Sequence, residues 1–497
     1  MNRVKRTHPG PLKISLGLFI VAAFLLAGCD ARKAQTRKRI DAVEKGLMRA
    51  VYLKGLKPGK MPLAERMPFY KVPGVSIAAI DRNKIEWVRA YGVQDILTRR
   101  PVAEDTLFQA GAFSQMIAAA AALQWAEKGK LDLQSDLGPQ LRSWRLPPAE
   151  SGAHIKITPF ALLTHSSGLS DQVFAGYAQG APLPTLVQIL DGEKPANNGP
   201  VWVPGRRSSV SKTRYSEPGF VILEQWLADL TGKPFPAYVK ATIFEPLGLT
   251  HSTFALPLSG EDRSRAASGH LREGQPVQGL WNNYPEAAAK GLWTTPSDFA
   301  NFLADLLQSA TDEGGKILAP AAARRMLSSQ VEGYGFGFTV DGRDDDIHFS
   351  LLGRTNGYAC SMTVYPAKGQ AAVIMTNSDN GFVLIREIMC ALAEAYDWPQ
   401  YMPEEKPVLR LDPATYGLYT GRYEVRPDYV LDVTAEDYYL VIRPTDQAPT
   451  KFYAEGQTLF YATDPYIRIQ FMKNPQGLVD SLVLWQQDFE LEAKKIR

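Results

Sequence analysis

The chain has 497 residues, of which 45% are hydrophobic and 22% are charged, and its formal net charge is +3. This balance predicts an ordinary globular protein of two or three domains with enough apolar residues for a core. Residues 1–28 contain four basic side chains and no acidic ones, so the remainder carries 51 basic against 52 acidic residues. Because the remainder is nearly neutral, its net charge gives no reason to expect nucleic-acid binding, and no nucleic acid is expected as a partner.

The first 28 residues have the pattern of a targeting segment. A basic start is followed by an apolar run over residues 14–26, which is too short for a comfortable membrane span. The run ends in Leu26-Ala27-Gly28-Cys29, which resembles the lipobox of bacterial lipoproteins. The resemblance implies a signal peptide over residues 1–28, a lipid on Cys29, and a membrane-anchored chain in the bacterial cell envelope that faces the periplasm or exterior. An uncleaved N-terminal anchor is the alternative, and the choice between inner and outer membrane stays open.

Residues 29–69 are predicted to form a basic tether and linker. Basic side chains between residues 32 and 39 would lie beside anionic headgroups, where each contributes up to about 1 kcal/mol of attraction. A solvated helix face is the alternative interpretation. Besides Cys29, the chain has only Cys360 and Cys390. Two cysteines do not make a disulfide framework, and whether they pair stays open.

The elements of residues 70–399 predict one α/β domain. A hairpin is expected over residues 75–91, and a long alanine-rich helix from Ala112 to Lys128. Helices and long loops fill residues 130–330. Strand patterns return at residues 335–340, 360–365 and 370–376, and a helix closes the domain at residues 382–396. This order predicts a mixed sheet built from both chain ends, with a helical subdomain inserted between them.

The last hundred residues differ in pattern from the rest. Three prolines between Pro399 and Pro407 indicate a linker, and short strands separated by turns begin near Tyr416. Residues 408–497 are therefore predicted to form a small all-β barrel or sandwich.

The long helix carries a resemblance to a known enzyme family. Residues 107–132 resemble the nucleophile helix of serine β-lactamases and penicillin-binding proteins of the class C type, which begins with Ser-x-x-Lys. Ala112 and Gln115 stand at the serine and lysine positions. Three further family segments follow in the expected order, and they are Leu162-Leu163-Thr164-His165-Ser166-Ser167-Gly168-Leu169, Glu245-Pro246-Leu247-Gly248-Leu249 and Gly291-Leu292-Trp293-Thr294-Thr295-Pro296-Ser297-Asp298. The resemblance implies the β-lactamase/transpeptidase fold.

The other two family motifs are also altered. The family's Tyr-x-Asn corresponds to Tyr215-Ser216-Glu217, which keeps the tyrosine and replaces the amide with a carboxylate. Its Lys/His-x-Gly corresponds to Leu351-Leu352-Gly353, which keeps only the glycine. With Ala112 and Gln115, these changes predict that none of the motif positions is catalytic.

A binding site is nevertheless implied by the resemblance. In the family, two backbone N–H groups form an oxyanion hole, and they correspond to Ala112 and approximately Arg354. Backbone donors survive side-chain substitution, so the cleft is expected to hold a carbonyl or carboxylate through Ala112, Tyr215 and Arg354.

Two serines are weighed as displaced nucleophiles. At about 100° per residue, Ser114 points roughly 200° away from Ala112 on the same helix, whereas Gln115 shares the face of Ala112. Ser209 begins the only Ser-x-x-Lys in the chain, in a polar loop without the helix that the motif needs. His165 is expected to be structural, and the histidines show no metal-ligand spacing. No metal and no cofactor are expected.

The leading hypothesis is a catalytically inactive, β-lactamase-like envelope lipoprotein that binds a ligand or a protein partner. The ligand would be peptidoglycan-derived or another small molecule, the partner an envelope protein, and the lipid anchor would hold the chain to the membrane. One alternative is an active serine hydrolase (esterase, peptidase or β-lactamase) with a displaced nucleophile. A second alternative is a scaffold that acts through its C-terminal β module.

Overall fold

The computed structural model describes residues 30–129, 132–148, 156–202, 213–258, 260–311, 313–445, 447–486 and 489–496. The predicted signal peptide, the lipidation site Cys29 and the Ser-x-x-Lys segment at residues 209–212 lie outside these ranges.

In the described ranges between residues 30 and 417, helices are interspersed with short strands. The helices are α1 (30–45), α2 (Leu63–Phe69), α3 (Phe113–Glu127), α4 (Pro159–Leu163), α5 (Leu186–Asp191), α6 (Glu217–Thr231), α7 (Phe235–Val239), α8 (Glu245–Leu247), α9 (Gly260–Arg265), α10 (Ala287–Lys290), α11 (Pro296–Ser309), α12 (Pro320–Met326), α13 (Gly381–Tyr396) and α14 (Pro413–Gly417). The strands are β1 (Val51–Leu53), β2 (Gly74–Asp81), β3 (Lys84–Gly92), β4 (Phe108–Gln109), β5 (Trp293–Thr294), β6 (Thr339–Asp341), β7 (His348–Thr355), β8 (Tyr358–Tyr365), β9 (Gln370–Thr376) and β10 (Glu404–Lys406). A π-helical turn over Lys240–Phe244 joins α7 to α8.

The main domain is organised by a six-stranded antiparallel sheet. Its strand order is β3-β2-β9-β8-β7-β6, so the early hairpin β2–β3 lies beside strands that come almost three hundred residues later. This arrangement confirms the sheet built from both chain ends. One detail differs: residues 335–338 form bends rather than strand, and β7, which the strand pattern did not indicate, completes the sheet.

Both faces of the sheet are covered, which places the core in two layers. All eight residues of β2 are buried, and its side chains alternate between the layers. Ala78 and Ile80 join the layer that contains α3 and α11, whereas Val75 and Ile77 join the layer that contains α13. Apolar side chains of the sheet therefore pack against α3, and this packing holds the start of α3 against β7.

Residues 30–69 differ from the expected tether and linker. Ile40 and Val43 lie three residues apart on one face of α1 and are buried in the α13 layer. Arg39, which was expected beside lipid headgroups, is buried and pairs with Asp81 at 3.1 Å and Glu86 at 2.8 Å. The described part of this segment is thus an integral part of the main domain, because its apolar face needs the sheet as a partner.

A closed eight-stranded barrel forms the C-terminal unit, which confirms the predicted all-β module as a barrel. Successive strands pair antiparallel, and the last strand pairs with the first. The strands are β11 (Gly421–Arg426), β12 (Tyr429–Glu436), β13 (Tyr439–Pro444), β14 (Thr450–Ala454), β15 (Leu459–Thr463), β16 (Tyr466–Lys473), β17 (Val479–Gln486) and β18 (Phe489–Lys495).

The predicted linker and the barrel are fastened to the main domain. Strand β10 lies within the linker and pairs in parallel with β1. Arg66 of α2 contacts Glu387 of α13 at 2.7 Å and Asp464 of the barrel at 2.5 Å. Arg66 thus forms ion pairs with both units, and these pairs fasten the barrel to the main domain.

Cys360 and Cys390 are buried free thiols, so they do not pair with each other. Among the helices within the described ranges, none combines the length and apolarity needed to cross a bilayer.

Candidate active site

Helix α3 begins where the family places its nucleophile. Ala112 is the residue before the first helical turn, with φ −61° and only 4% of its surface exposed. Within the described part of the chain, the Ala112 N–H has no hydrogen-bond acceptor. The position therefore offers a backbone donor and a methyl group, but no hydroxyl.

The start of α3 and strand β7 are in direct backbone contact. A Cβ atom on Gly353 would lie 2.1 Å from the carbonyl oxygen of Ala110, and a Cβ atom on Gly111 would lie 2.6 Å from the nitrogen of Arg354. Gly111 also has φ +54°, a conformation that L side chains rarely adopt. Only glycine fits either position, and this close approach brings the Ala112 and Arg354 segments together as the oxyanion-hole hypothesis requires.

Gln115 and Tyr215 meet across the site. The Gln115 side chain is fully buried, and its Nε2 donates a hydrogen bond of 2.7 Å to the Tyr215 hydroxyl. Burial raises the pKa of Tyr215, and the nearby Glu217 carboxylate raises it further. The phenol is thus held protonated, and the amide that contacts it can neither accept a proton at neutral pH nor supply a positive charge.

Glu217 is tied into an internal ion pair. Its Oε1 lies 3.0 Å from Lys290 Nζ, and its Oε2 accepts a hydrogen bond of 2.8 Å from the Phe174 N–H. Lys290 Nζ also donates to the Phe174 carbonyl at 3.0 Å. Burial raises the pKa of Glu217, whereas the Lys290 ammonium opposes that rise. The side chain at the family's substrate-holding position is therefore engaged by the protein itself.

Lys290 is a functional-site residue that sequence reasoning missed. It ends the short helix α10, and its signal was a lone lysine after three alanines in an otherwise small and apolar segment. The lysine is only 6% exposed, and a buried lysine requires a partner. The partner, Glu217, lies 73 positions earlier in the chain, so the sequence alone does not name it.

His165 packs beneath the tyrosine. Its Nδ1 accepts a hydrogen bond of 3.1 Å from the Ser216 N–H, and its ring centroid lies 4.6 Å from that of Tyr215. Burial lowers the pKa of His165 to about 4, so the ring is neutral at physiological pH. The histidine therefore positions the loop that carries Tyr215.

Ser114 is fully occupied by structural hydrogen bonds. Its Oγ donates to the Gly111 carbonyl at 2.7 Å and accepts from the Leu292 N–H at 3.0 Å. The side chain is completely buried and points away from the Ala112 position, as the helical geometry predicted. It stabilises the start of α3 and its contact with β5.

Two cavities flank the motif residues. One of about 240 Å³ is lined by His165, Tyr215, Tyr334, Leu351 and Leu352, so the second and third motif positions face the same space. Ala112 does not line it, although the sequence predicted that Ala112 and Tyr215 share one ligand-binding cleft. Leu351 supplies an apolar wall where the family has a base.

The second cavity, of about 490 Å³, is polar and lies on the Arg354 side. Its lining includes Arg272, Lys290, Arg354, Asn356 and Asp379. Burial raises the pKa of Asp379, and the charges of Arg354 and Arg272 oppose that rise. Lys290 is already paired with Glu217, so Arg272 and Arg354 are the two lining cations beside Asp379, and their guanidinium groups suit an anionic or carbonyl group. Within the described ranges, no cluster of three or more His, Cys, Asp or Glu side chains is placed to hold a metal ion.

Two more carboxyl groups lie behind the ion pair. Glu224 Oε2 accepts a hydrogen bond of 2.7 Å from the Ala288 N–H, while both carboxyl oxygens of Glu286 lack a hydrogen-bond partner among the described residues. Burial raises the pKa of each to about 8. Both are therefore largely protonated at neutral pH, and sequence reasoning identified neither.

Comparison with known proteins places this geometry in context. Residues 60–388 match the family model described as Beta-lactamase. The chain is 26% identical over 302 residues to a β-lactamase of Pseudomonas fluorescens, an alignment that covers 61% of this chain and 73% of that protein. It is 21% identical over 445 residues to penicillin-binding protein 4* of Bacillus subtilis, covering 85% and 95% of the two chains. An octameric penicillin-binding protein homologue from Pyrococcus abyssi has the same fold, with a TM-score of 0.59 at 20% identity over 86% of this chain and 98% of that one.

Proposed function

The chain belongs to the β-lactamase family, and we propose that it is a member that binds a ligand in the family's cleft without attacking it covalently. The observation that carries this proposal is the hydrogen bond between Gln115 and Tyr215 beside the methyl group of Ala112. Acyl transfer needs a hydroxyl, a group that takes its proton, and a nearby cation. Ala112 has no hydroxyl, Gln115 is a neutral amide that neither accepts a proton nor carries a charge, and the Tyr215 phenol stays protonated.

The surrounding residues support the same conclusion. Leu351 places an apolar side chain at the position of the third-motif base, and Glu217 is held by Lys290. Catalytic groups that act as a unit contribute non-additively, so restoring one of them recovers little activity. Four altered positions within one contact network are consistent with a site that no longer performs the reaction.

The proposed ligand carries a carbonyl or carboxylate group. The Ala112 N–H has no hydrogen-bond acceptor among the described residues, and the Arg354 backbone lies against Gly111. Backbone donors bind an oxygen without needing any side chain. The adjacent polar cavity places Arg354 where a carboxylate would reach it. This chemistry fits a peptidoglycan-derived fragment or another small acid, and an envelope protein that presents such a group fits equally.

Binding can be tested with N-acetyl-D-alanine and its amide as probes. We expect saturable binding by isothermal titration, a tighter Kd for the acid than for the amide, and loss of that preference in Arg354→Gln. Arg354→Lys is the matched control because it keeps the charge. Binding of neither probe, or equal weakening of acid and amide by Arg354→Gln, would argue against carboxylate recognition at this site.

An active hydrolase with a displaced nucleophile is the competing function. Family membership favours it, but the hydrogen bonds of Ser114 to Gly111 and Leu292 oppose that serine as the nucleophile. Ser209 lies outside the described residues. Phosphonylation by a fluorophosphonate probe, in which a serine oxygen displaces fluoride from phosphorus, would establish this alternative if Ser114→Ala or Ser209→Ala abolished it.

We further propose that the protein is a lipoprotein of the cell envelope, anchored through Cys29. The Leu-Ala-Gly-Cys ending on a short apolar run supports this. Mass spectrometry of the mature N-terminus from a bacterial host should find a diacylated or triacylated Cys29. A Cys29→Ser variant should remain unprocessed, and an intact Met1 in the unaltered protein would contradict the anchor.

A further inference from the structure

The C-terminal barrel carries a row of tyrosines on its outer surface, remote from the motif residues in sequence. Tyr439 on β13 pairs in register with Tyr453 on β14, and Tyr438 lies in the turn before β13. The ring centroids of these three tyrosines are 5.5, 5.7 and 6.4 Å apart. Their strand neighbours Leu440 and Phe452 are buried in the barrel core, so Tyr439 and Tyr453 face outward. We call Tyr438, Tyr439 and Tyr453 the tyrosine row.

Cations lie directly over this row. Lys451 Nζ is 4.5 Å from the Tyr439 ring centroid and donates a hydrogen bond of 3.0 Å to its hydroxyl. The Arg410 guanidinium is 5.3 Å from the Tyr438 ring centroid. The Tyr439 hydroxyl in turn donates to Glu436 Oε2 at 2.8 Å. The surface thus combines aromatic side chains with two exposed cations, Lys451 and Arg410, and a carboxylate, Glu436, that accepts a hydrogen bond.

The row is also held in place before any ligand binds. Tyr416, which is buried in the barrel core, donates a hydrogen bond of 2.9 Å from its hydroxyl to the Tyr438 carbonyl. That bond fixes the turn between β12 and β13, while the strand pairing fixes Tyr439 against Tyr453. Rigid aromatic side chains lose little conformational entropy on binding, so a preorganised row can contribute to affinity at small cost.

We propose that the tyrosine row binds an anionic polysaccharide. Pyranose rings present C–H faces that pack against phenol rings, and their hydroxyl groups match the Tyr439–Glu436 pair. Carboxylates on the sugars would pair with Lys451 and Arg410, which is the feature that selects an acidic chain over a neutral one. A linear polymer suits a row that crosses two strands. This site is separate from the cleft and does not depend on the function proposed there.

The test is native affinity electrophoresis of the full chain through gels that contain polygalacturonate, with dextran gels as the neutral comparison. We expect retardation by polygalacturonate alone, and weaker retardation as salt is added. The double variant Tyr438→Ala, Tyr453→Ala should bind about tenfold more weakly, and Lys451→Gln about threefold more weakly. Tyr429→Ala is the matched control, because Tyr429 lies outside the row yet also carries a cation, Arg426, over its ring.

Each contrary outcome overturns the proposal. Unretarded migration in polygalacturonate gels would contradict polysaccharide binding by the tyrosine row. Equal retardation by dextran would contradict the preference for an acidic polymer over a neutral one. Stronger retardation by single-stranded DNA would assign the row to another polymer. An equal loss in Tyr429→Ala would show a non-specific effect. Thermal unfolding of each variant, with an unchanged Tm, confirms that the barrel has folded.

Discussion

The buried carboxyl groups behind the site give a sharp prediction about stability and pH. Burial raises the pKa of Glu224 from its usual 4.5 to about 8. Between those two pH values the folded state binds a proton that the unfolded state has released, so the free energy of unfolding falls as pH rises. The penalty is absent below pH 4.5, grows through neutrality, and is complete above pH 8.

The magnitude follows from the size of the shift. Each pKa unit corresponds to about 1.4 kcal/mol, so the displacement of Glu224 costs up to about 5 kcal/mol at high pH. Glu286 has a similar pKa, and its charge contributes to the shift of Glu224, so the two losses are not additive. Glu224→Gln keeps the acceptor for the Ala288 N–H and removes the charge. We therefore expect the variant to be more stable than the unaltered protein at pH 8, and nearly equal to it at pH 5.

Urea unfolding at half-unit steps from pH 5 to 9 measures this difference. Comparison of variant with unaltered protein is essential, because His165, whose pKa is lowered to about 4, makes stability rise with pH over the lower part of the range. Glu104→Gln, an exposed glutamate with no pairing role, is the matched control and should give parallel curves. If the stability difference between Glu224→Gln and the unaltered protein stays constant across the pH range, the reasoning is refuted.

Three further predictions concern the fold and the altered motif. Gly353→Ala should destabilise the protein by about 1–3 kcal/mol in urea unfolding, because the new Cβ would lie 2.1 Å from the Ala110 oxygen; an unchanged midpoint would contradict the close approach of β7 to α3. Asp464→Asn should cost about 1–2 kcal/mol and speed tryptic release of the barrel, because Arg66 loses one of its two carboxylate partners and Arg49 loses its ion pair with Asp464; an unaltered cleavage rate would mean that these ion pairs do not fasten the barrel. Ala112→Ser should restore no detectable turnover of nitrocefin, because the new hydroxyl has no base beside it; rapid hydrolysis would contradict the assignment of Gln115 as inert.

Local pattern was enough to predict much of the fold. The alternation of residues 75–91 predicted the β2–β3 hairpin, and the alanine-rich run predicted α3, whose face carries Gln115 toward Tyr215. The order of the family segments then fixed how those elements assemble. The C-terminal barrel followed from short strands at regular intervals, although only the structure distinguishes a closed barrel from a sandwich.

The errors share one physical cause, which is that a residue's partner can be distant in the chain. Arg39 belongs to a basic run whose pattern predicted an exposed helix face. In the structure its guanidinium is buried and forms ion pairs with Asp81 and Glu86. Lys290 and Glu217 become interpretable only as a pair. Glu224 sits in α6 with no sequence feature that distinguishes a buried, protonated carboxyl from an exposed one. Pairing of buried charges is a property of the folded arrangement rather than of local sequence.

We propose that this member of the β-lactamase family does not form an acyl-enzyme. Intact-protein mass spectrometry after incubation with excess benzylpenicillin tests this proposal, with a penicillin-binding protein that forms a long-lived penicilloyl-enzyme as the positive control. We expect the mass of the protein to stay unchanged while the control gains one penicilloyl group. A stoichiometric penicilloyl adduct that maps to a serine of this chain would contradict it.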